Sequence, residues 1–183
     1  MNPLTPLIDY SRAMSSITVR EASPSDAAAL LAHLKALAAE PGINIPLAAD
    51  EITTTLDQEK ALLADIASSP SAIMLVAEAD RALVGELSLK AISTRRAVRH
   101  VATLGMSVRQ DWRGKGVGRA LMSAALEWAP TAGIKRIELY VYARNAPAIA
   151  LYEKFGFVTE GKRKSFIREG DGFLDDFVMA KLL

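Results

Sequence analysis

The 183-residue sequence contains no cysteine and only two histidines, His33 and His100. The absence of cysteine excludes disulfide bonds, thiolate metal sites and a cysteine nucleophile. Two histidines are too few for a histidine-rich zinc site, and we expect no metal. A chain without cysteine suits a reducing compartment, so we expect a cytoplasmic protein.

Strong net charge and long apolar runs are also missing. The 22 basic and 21 acidic side chains leave a formal charge of +1, which gives no global attraction to nucleic acid or to a membrane surface. No run approaches the roughly 18 apolar residues that a membrane-spanning helix needs. We therefore expect neither nucleic acid nor a membrane as a partner, and any function has to come from local features.

One domain is expected. Residues 1–16 lack the basic start and continuous apolar core of a signal peptide, and we interpret them as a disordered leader. Residues 17–183 have the length of a single domain. Their apolar periodicity predicts the order β-α-α-β-β-β-α-β-α-β-β. Three successive strands in the middle favour a mixed sheet and the α+β class.

Several local expectations can be compared with a structure. Residues 50–69 are predicted as one amphipathic helix that Pro70 ends. A later helix, 117–129, is predicted to present one buried face consisting of Val117, Leu121, Ala124 and Trp128. In the last hairpin, strand alternation favours core positions over an acceptor pocket for Phe166, Phe173 and Phe177. The basic run 162–164 is interpreted as a solvated face.

A glycine-rich segment, residues 113–118 (RGKGVG), lies between a predicted strand and a predicted helix. A Walker loop needs Ser or Thr after the lysine, but Gly116 follows Lys115. A dinucleotide fingerprint needs a third glycine where Arg119 stands. The remaining functional interpretation is a loop whose backbone N–H groups wrap a pyrophosphate at a helix N-terminus. The alternative is a glycine turn with a solvated basic rim.

The local charge supports the pyrophosphate interpretation. Between residues 109 and 119, four cations stand against Asp111, which gives 4 − 1 = +3 on a nearly neutral chain. The four cations are Arg109, Arg113, Lys115 and Arg119.

Together with a second motif, this loop resembles that of the GNAT superfamily of acyl-CoA-dependent N-acetyltransferases. The family's loop, Q/R-x-x-G-x-G/A, is matched by Arg113, Gly116 and Gly118. The family's later motif is N-x-x-A-x-x-L-Y-x-x-x-G-F, and the residues that match it are Asn145, Ala148, Leu151, Tyr152, Gly156 and Phe157. The resemblance covers residues 17–183.

The resemblance implies both a fold and a reaction. The fold is a central, mostly antiparallel twisted sheet of about seven strands flanked by about four helices. The sheet is splayed between the strand before the glycine loop and the next strand. The reaction is direct transfer of an acetyl group from acetyl-CoA to a primary amine. The second half of the chain looks most like bacterial enzymes that acetylate amino acids and related small amines.

Other functions and states stay open. A protein or peptide N-acetyltransferase and a non-catalytic acyl-CoA-binding regulator would share the same fold. The acceptor amine, the acyl-chain preference and a homodimer are not decided by the sequence.

The resemblance also implies how acetyl-CoA is held. The strand before the loop lends backbone groups at Met106, Ser107 and Val108 to the cofactor arm and thioester. Asn145 caps its helix and binds the same arm. The loop supplies N–H groups and positive charge, and its residues are Arg113, Gly114, Lys115, Gly116, Val117, Gly118 and Arg119.

Tyr152 is the general acid that the resemblance implies. A phenol with a pKa near 10 can protonate a thiolate whose conjugate acid has a pKa near 8.5. The general base is harder to assign, because the two positions where the family carries a carboxylate fall on Ala102 and Tyr140. Neither side chain can accept the amine proton.

Glu86 is our candidate base. If a hairpin turns near residues 94–97, the residue numbers of two cross-strand partners add up to about 189–193. Glu86 then lies opposite a residue between Thr103 and Ser107. The alternative is that Glu86 occupies the solvent side of a half-exposed strand.

Two further residues are assigned to substrate binding. Tyr140 is one, by its position on the strand after the loop. His100 is the other, because it lies six residues before Met106, or about 20 Å along a strand, too far for a direct role at the thioester. His100 is expected to contribute to substrate access or to be a core histidine.

Overall fold

The computed structural model describes residues 16–183, so the predicted leader, residues 1–16, lies outside it apart from Ser16. The described chain forms seven strands and four α-helices. In chain order these are β1 (Thr18–Glu21), α1 (Ala27–Ala38), α2 (Leu56–Ser68), β2 (Ala72–Ala79), β3 (Ala82–Ala91), β4 (Val101–Val108), α3 (Val117–Thr131), β5 (Arg136–Tyr142), α4 (Ala146–Lys154), β6 (Val158–Glu169) and β7 (Gly172–Leu182). Within these residues, no helix is both long enough and apolar enough to cross a membrane.

The strands form a single sheet in the order β1-β2-β3-β4-β5-β7-β6. Neighbouring strands are antiparallel, apart from the parallel pair β4 and β5. That parallel pair exists because α3 carries the chain from the end of β4 back to the start of β5. The predicted element order, the strand count and the α+β class are confirmed.

β4 and β5 separate along their length. Their pairing covers three residue pairs, from Val101–Arg136 to Thr103–Glu138. Beyond that point β4 continues to Val108 and β5 continues to Tyr142 without pairing in the described register. The expected splay is therefore present, and the two separated edges border a gap in the middle of the sheet.

The helices cover both faces of the sheet. Val76 on β2 packs with Leu30 of α1 and Leu63 of α2. Its neighbours Leu75 and Ala77 belong to the larger core that α3 covers. Because successive side chains of a strand point to opposite faces, α1 and α2 lie on one face and α3 on the other. α4 joins the α3 side.

The second helix begins later than predicted. α2 starts at Leu56, and residues 49–51 form only a short 3₁₀ turn. Thr55 is the N-cap: its Oγ1 accepts a hydrogen bond from the Gln58 N–H (3.3 Å), and the Gln58 Oε1 accepts one from the Thr55 N–H (2.8 Å). This reciprocal capping box fixes the helix start, so the preceding residues stay outside it.

Two predicted burial patterns need correction. In α3, Ala124 and Trp128 are only partly buried, whereas the fully buried stripe also contains Met122, Ala125 and Ala129. Small alanines allow the helix to approach the sheet, which rotates the bulky Trp128 to the border of the interface.

In the final hairpin, Phe177 belongs to the edge of the core, but Phe166 and Phe173 are 58% and 63% exposed. The core prediction is therefore wrong for these two residues. Phe166 lies on the edge strand β6, and Phe173 lies on β7 beyond Asp176, where the pairing with β5 has ended, so a full sheet encloses neither side chain.

Candidate active site

The backbone of β4 faces the gap at alternate residues. Arg109 N donates to Val84 O (2.9 Å), and Ile92 N donates to Val101 O (2.9 Å). Both contacts join β3 to odd-numbered residues of the β4 segment, with no register shift between them. In an antiparallel ladder the even-numbered residues then point their N–H and C=O groups away from β3. Met106 and Val108 therefore present backbone groups to the gap.

Ser107 contributes in a different way from its two neighbours. Its backbone lies in the ladder with β3, whereas its side chain projects to the face covered by α1. The Ser107 hydroxyl donates a hydrogen bond to Glu86 Oε1 (2.8 Å). Glu86 and Ser107 are direct cross-strand partners, so the register expected from the hairpin turn is confirmed.

Glu86 has an unusual environment for a carboxylate. Burial raises its pKa to about 7, the hydrogen bond from Ser107 works in the opposite direction, and the negative charge of Glu59 on α2 raises it further. The side chain nevertheless stays partly accessible. A carboxylate with a pKa near neutrality has the protonation behaviour that a general base needs.

His33 on α1 also belongs to this cluster, although the sequence analysis did not assign it. His33 Nε2 lies 2.9 Å from Ser107 Oγ. The ring is buried, and in the described chain its Nδ1 has no hydrogen-bond partner. The spacing of Leu30, His33 and Leu37 puts the histidine on the buried stripe of α1, and that pattern is the signal that could have found it.

Tyr152 of α4 is buried and packs against Phe157, with ring centroids 5.9 Å apart. Burial, and secondarily the charge of Glu86, raises the pKa of Tyr152 to about 12. The negative charge of Glu86 therefore disfavours ionisation of Tyr152, although burial has the larger effect. Tyr152 is therefore a weaker acid than the ordinary phenol assumed in the sequence analysis.

Helix α3 begins with an open N-terminus. Its N-cap is Gly116, which has φ +93° and offers no side chain to the helix. Ala120 N donates to Gly116 O (3.0 Å), whereas the N–H groups of residues 117–119 precede the first helical acceptor. The positive φ requires glycine. Three N–H groups without a helical acceptor, together with the helix dipole, are features that suit an anion.

The next glycine brings this N-terminus close to the gap. A Cβ added to Gly118 would lie 3.0 Å from Leu151 Cδ2 and 3.6 Å from Met106 Cε. The start of α3 therefore touches both α4 and the gap-lining part of β4. Gly114, which also has a positive φ, precedes this turn.

Part of the positive charge of the loop is neutralised internally. Arg109 makes two hydrogen bonds to Asp111, of 2.7 and 2.6 Å. Arg113 donates to Glu40 Oε2 (2.5 Å) and to Val108 O (3.0 Å). The side chain of Arg113 therefore ties the loop to the end of α1, and Glu40 offsets its charge.

Lys115 and Arg119 carry the exposed charge of the loop. Within the described residues, neither makes an ion pair. Lys115 Nζ lies 5.0 Å from the centre of the Trp112 ring, at the outer side of the loop. Both cations are available to an approaching phosphate.

The structure brings Asn145 and Tyr140 to the ends of the gap but leaves His100 elsewhere. Asn145 caps α4, because its Oδ1 accepts from the Ala148 N–H (3.4 Å). Tyr140 is 49% exposed, two residues beyond the last β4–β5 pair. His100 precedes β4 at the paired end, where its carbonyl accepts from Lys135 N (2.8 Å), so His100 and Ser107 lie at opposite ends of the strand.

The segment between α1 and α2 crosses the open end of the gap. Arg144, which follows β5, donates to Asn44 Oδ1 (2.8 Å) and to the backbone oxygen of Ile43 (3.3 Å). It is held in turn by Glu169 of β6, at 2.6 and 2.7 Å. With Glu40 fixed by Arg113 beyond β4, the connector is attached to the ends of both separated strands. We call residues 40–44 the strap.

A model of the acetyltransferase (GNAT) family matches residues 47–157 of this sequence. The chain belongs to the GNAT family. The match includes β4, the glycine loop, α3 and Tyr152, which are the parts that border the gap. The protein is accordingly an N-acetyltransferase.

Relatives within the GNAT family act on different amines, by their names. The chain is 36% identical over 118 residues to the L-amino acid N-acetyltransferase AaaT of Escherichia coli (strain K12), covering 64% of this chain and 72% of that protein. It is 34% identical over 93 residues to the ribosomal protein bS18-alanine N-acetyltransferase of the same strain, covering 50% of this chain and 63% of that enzyme.

Solved GNAT structures have the same fold. An acetyltransferase of the GNAT family from Streptococcus pneumoniae superposes with a TM-score of 0.86 at 33% identity, covering 92% of this chain and 99% of that chain. The yncA putative acetyltransferase from Salmonella typhimurium, solved with its cofactor acetyl-CoA, superposes with a TM-score of 0.81 at 22% identity. The superposition covers 92% of this chain and 95% of that chain. The second likeness concerns the fold alone.

Proposed function

We propose that the protein transfers an acetyl group from acetyl-CoA directly to the primary amine of a small molecule, with an amino acid as the first candidate. The observation that carries this proposal is the arrangement around the gap. The N-terminus of α3 lies beside Met106 of β4, and Glu86 is hydrogen-bonded to Ser107 of the same strand. The buried phenol of Tyr152 senses the charge of Glu86. These are the groups that acyl transfer from a thioester to an amine requires.

The open N-terminus of α3 supports binding of the pyrophosphate. The N–H groups of residues 117–119 fit an anion, and Lys115 and Arg119 add positive charge. Between α3 and α4 runs an open groove of about 360 Å³, lined by Arg119, Ser123, Leu151, Lys154 and Phe155. Its mixture of apolar side chains with two cations suits the phosphorylated adenosine end of the same molecule.

The free edge of β4 supports binding of the cofactor arm. The Met106 backbone groups and the Val108 N–H can pair with the amides of pantetheine as a neighbouring strand would, while Val108 O accepts from Arg113. Asn145 stands at the β5 side, where its amide N–H₂ stays free to donate after its oxygen has capped α4. The thioester carbonyl would then lie beside the Met106 N–H, which is suited to stabilise the oxyanion that develops during attack.

Glu86 is the proposed general base. It accepts a proton from the neutral acceptor amine, directly or through water, as the lone pair of the amine nitrogen forms a bond to the thioester carbon. Met106 N–H stabilises the resulting tetrahedral oxyanion. A pKa of about 7 keeps Glu86 able to accept a proton at neutral pH and to release it afterwards.

Tyr152 is the proposed general acid. As the tetrahedral species collapses, its carbon–sulfur bond breaks and Tyr152 donates its proton to the leaving thiolate. A pKa of about 12 makes that transfer uphill in the resting site. Protonation of Glu86 removes the smaller of the two causes that raise this pKa, while burial remains, so capture of the amine proton makes Tyr152 a somewhat better acid when the thiolate leaves.

A small acceptor is supported by the strap. Residues 40–44 are hydrogen-bonded to Arg113 and Arg144, which follow the two separated strands, and a segment held there would narrow the open end of the gap. A free amine can pass beneath such a segment more easily than a side chain on a folded protein. The name of the Escherichia coli relative at 36% identity makes L-amino acids the first class to try.

Thiol release from acetyl-CoA tests the proposal. Wild-type protein would be assayed against free amino acids, dipeptides, polyamines and aminoglycosides, with Tyr152→Phe and Tyr142→Phe beside it. Tyr142 is a second buried tyrosine with a raised pKa, so it controls for loss of a buried hydroxyl. We expect turnover with one small amine class, a kcat lowered at least tenfold in Tyr152→Phe, and near-normal kcat in Tyr142→Phe.

Three outcomes would contradict the proposal. Acetyl-CoA binding without turnover on any amine would favour a non-catalytic acyl-CoA-binding protein. Turnover only with a protein N-terminus or lysine would overturn the small-molecule assignment. Equal kcat in wild type and Tyr152→Phe would remove Tyr152 from the role of acid.

A further inference from the structure

A directed chain of hydrogen bonds joins α1 to the proposed base. Ser107 Oγ donates its one proton to Glu86 Oε1 at 2.8 Å. A serine hydroxyl has a single donor, so at its other contact, 2.9 Å from His33 Nε2, the oxygen has to accept. His33 Nε2 therefore carries the proton, and the order of donation is His33 to Ser107 to Glu86.

The other ring nitrogen of His33 points to the same tautomer. Nδ1 is buried and has no partner among residues 16–183. A proton there would leave an N–H group buried with no acceptor, which is costly. The tautomer with its proton on Nε2 therefore costs less than the tautomer with its proton on Nδ1, because Nε2 has a hydrogen-bond partner and Nδ1 has none.

His33 is held neutral by its surroundings. Burial lowers its pKa; the nearby charge of Glu40 raises it, and those of Arg109 and Arg113 lower it. A neutral ring is what the chain of donors needs, because a charged ring would also carry a proton on the buried Nδ1. The ion pair between Arg113 and Glu40 fixes two of these neighbouring charges beside the ring.

We propose that His33 and Ser107 are positioning residues for Glu86, which fix Oε1 by a polarised hydrogen bond and leave Oε2 for the acceptor amine. This inference rests on the proposed role of Glu86 as the base. A donor to the hydroxyl oxygen strengthens the hydrogen bond that the hydroxyl makes in turn. The polarised bond stabilises the carboxylate form of Glu86 against burial and against the charge of Glu59.

The consequence is a carboxyl group whose ionised form persists to lower pH than burial alone would allow. Three groups face Glu86 from the elements around it: Ser107 from β4, Glu59 from α2 and Tyr152 from α4. Of these, Ser107 alone favours the charged form. Without its hydrogen bond, burial and Glu59 act unopposed, and the carboxyl keeps its proton at pH values where an acceptor amine has to be deprotonated.

Two readouts test the inference separately from the reaction. The first is the titration of Glu86 itself, followed by NMR of ¹³C-carboxyl-labelled glutamate and assigned by the signal that Glu86→Gln removes. The second is the acid limb of the pH profile of kcat/KM. The variants are Ser107→Ala, His33→Leu and His33→Gln, with Ser88→Ala as a matched control because Ser88 lies two residues further along β3, on the same face.

We expect Ser107→Ala to move both the Glu86 titration and the acid limb to higher pH by about one to two pH units, the effect of one hydrogen bond to a charged group. His33→Leu moves them in the same direction by less. His33→Gln restores both toward wild type, because its amide N–H₂ can donate to Ser107. Ser88→Ala changes neither.

Unchanged Glu86 titration in folded Ser107→Ala and His33→Leu would overturn the inference. Failure of His33→Gln to restore a shift seen in His33→Leu would overturn the donor role of His33. If Glu86 titrates as expected in every variant but the acid limb does not follow, the hydrogen-bonded chain stands and the assignment of Glu86 as base fails.

Discussion

Asn44 and Arg144 lie one hundred positions apart in the sequence and are joined by a 2.8 Å hydrogen bond across the open end of the gap. Arg144 is also fixed by two contacts to Glu169, so the strap is attached to the last hairpin as well as to the β5–α4 turn. This contact connects the first helical face with the second half of the sheet. In the proposed function, the strap belongs to the acceptor side of the site.

Replacement of Arg144 is expected to weaken amine binding without affecting acetyl-CoA. We predict that Arg144→Leu raises KM for the amine about two- to fivefold, because exposed ion pairs contribute about 0.2 to 1 kcal/mol. KM for acetyl-CoA stays within error of wild type. Initial-rate kinetics with each substrate varied in turn make the distinction.

Arg168→Leu is the matched control for Arg144→Leu. Arg168 is another exposed arginine, on β6, and its side chain contacts only the nearby Gly170 carbonyl oxygen (3.3 Å) among the described hydrogen bonds. If both variants raise the amine KM equally, the strap has no specific role in acceptor binding.

Gly116 is expected to be needed for acetyl-CoA as well as for folding. Gly116→Ala forces an alanine to φ +93° at the N-cap of α3, which costs about 1 to 2 kcal/mol and displaces the anion-binding N–H groups. We predict a lower Tm and a severalfold higher KM for acetyl-CoA. Thermal unfolding and initial rates measure the two effects.

Gly133 offers a control in the same helix. It follows the C-terminus of α3 with φ +72°, and, as at Gly116, an added Cβ would meet nothing within 4 Å. Gly133→Ala is expected to lower Tm by a similar amount and to leave KM for acetyl-CoA unchanged. An equal rise in KM in both variants would show that general destabilisation, rather than the anion site, explains the Gly116 result.

The raised pKa of Glu86 also predicts a pH-dependent stability. In the folded protein the pKa of Glu86 is about 7, against an ordinary value of 4.5 for a glutamate side chain. The folded state therefore holds a proton that the unfolded chain releases, and this contribution to the free energy of unfolding is present below about pH 4.5 and lost as pH rises through 7. Glu86→Gln has no such loss.

The comparison of the two proteins isolates this effect. Relative to Glu86→Gln, wild type is expected to lose on the order of 1 to 3 kcal/mol of unfolding free energy between pH 4.5 and pH 8. Urea denaturation at several pH values measures it, and contributions from other titrating groups, including His33, cancel in the difference. Parallel stability curves would contradict the raised pKa.

Local sequence patterns predicted the elements that carry the site. The strand-loop-helix order around residues 101–131 could be read directly, because glycines and β-branched residues mark its boundaries. The opposition of Glu86 and Ser107 followed from counting back from a hairpin turn, since the residue numbers of partners in two antiparallel strands have a constant sum. The same counting could not say whether Glu86 is buried, which depends on α2 packing above it.

The remaining features depend on contacts between distant segments. Nothing near Asn44 in the sequence identifies Arg144 as its partner, and nothing near His33 identifies Ser107. The pKa of Tyr152 could not be predicted from residue type, because burial and the charge of Glu86 raise it. The start of α2 was missed since a T-x-x-Q capping box inside the predicted helix was not recognised.

The most direct test of the account is the pH profile of kcat/KM for wild type and Glu86→Gln with the best small amine. The account predicts that the wild-type rate rises through an acid limb near pH 7 and that Glu86→Gln loses this limb and at least tenfold in rate at pH 8. Wild-type activity in Glu86→Gln, with the same limb near pH 7, would contradict the assignment of Glu86 as the base.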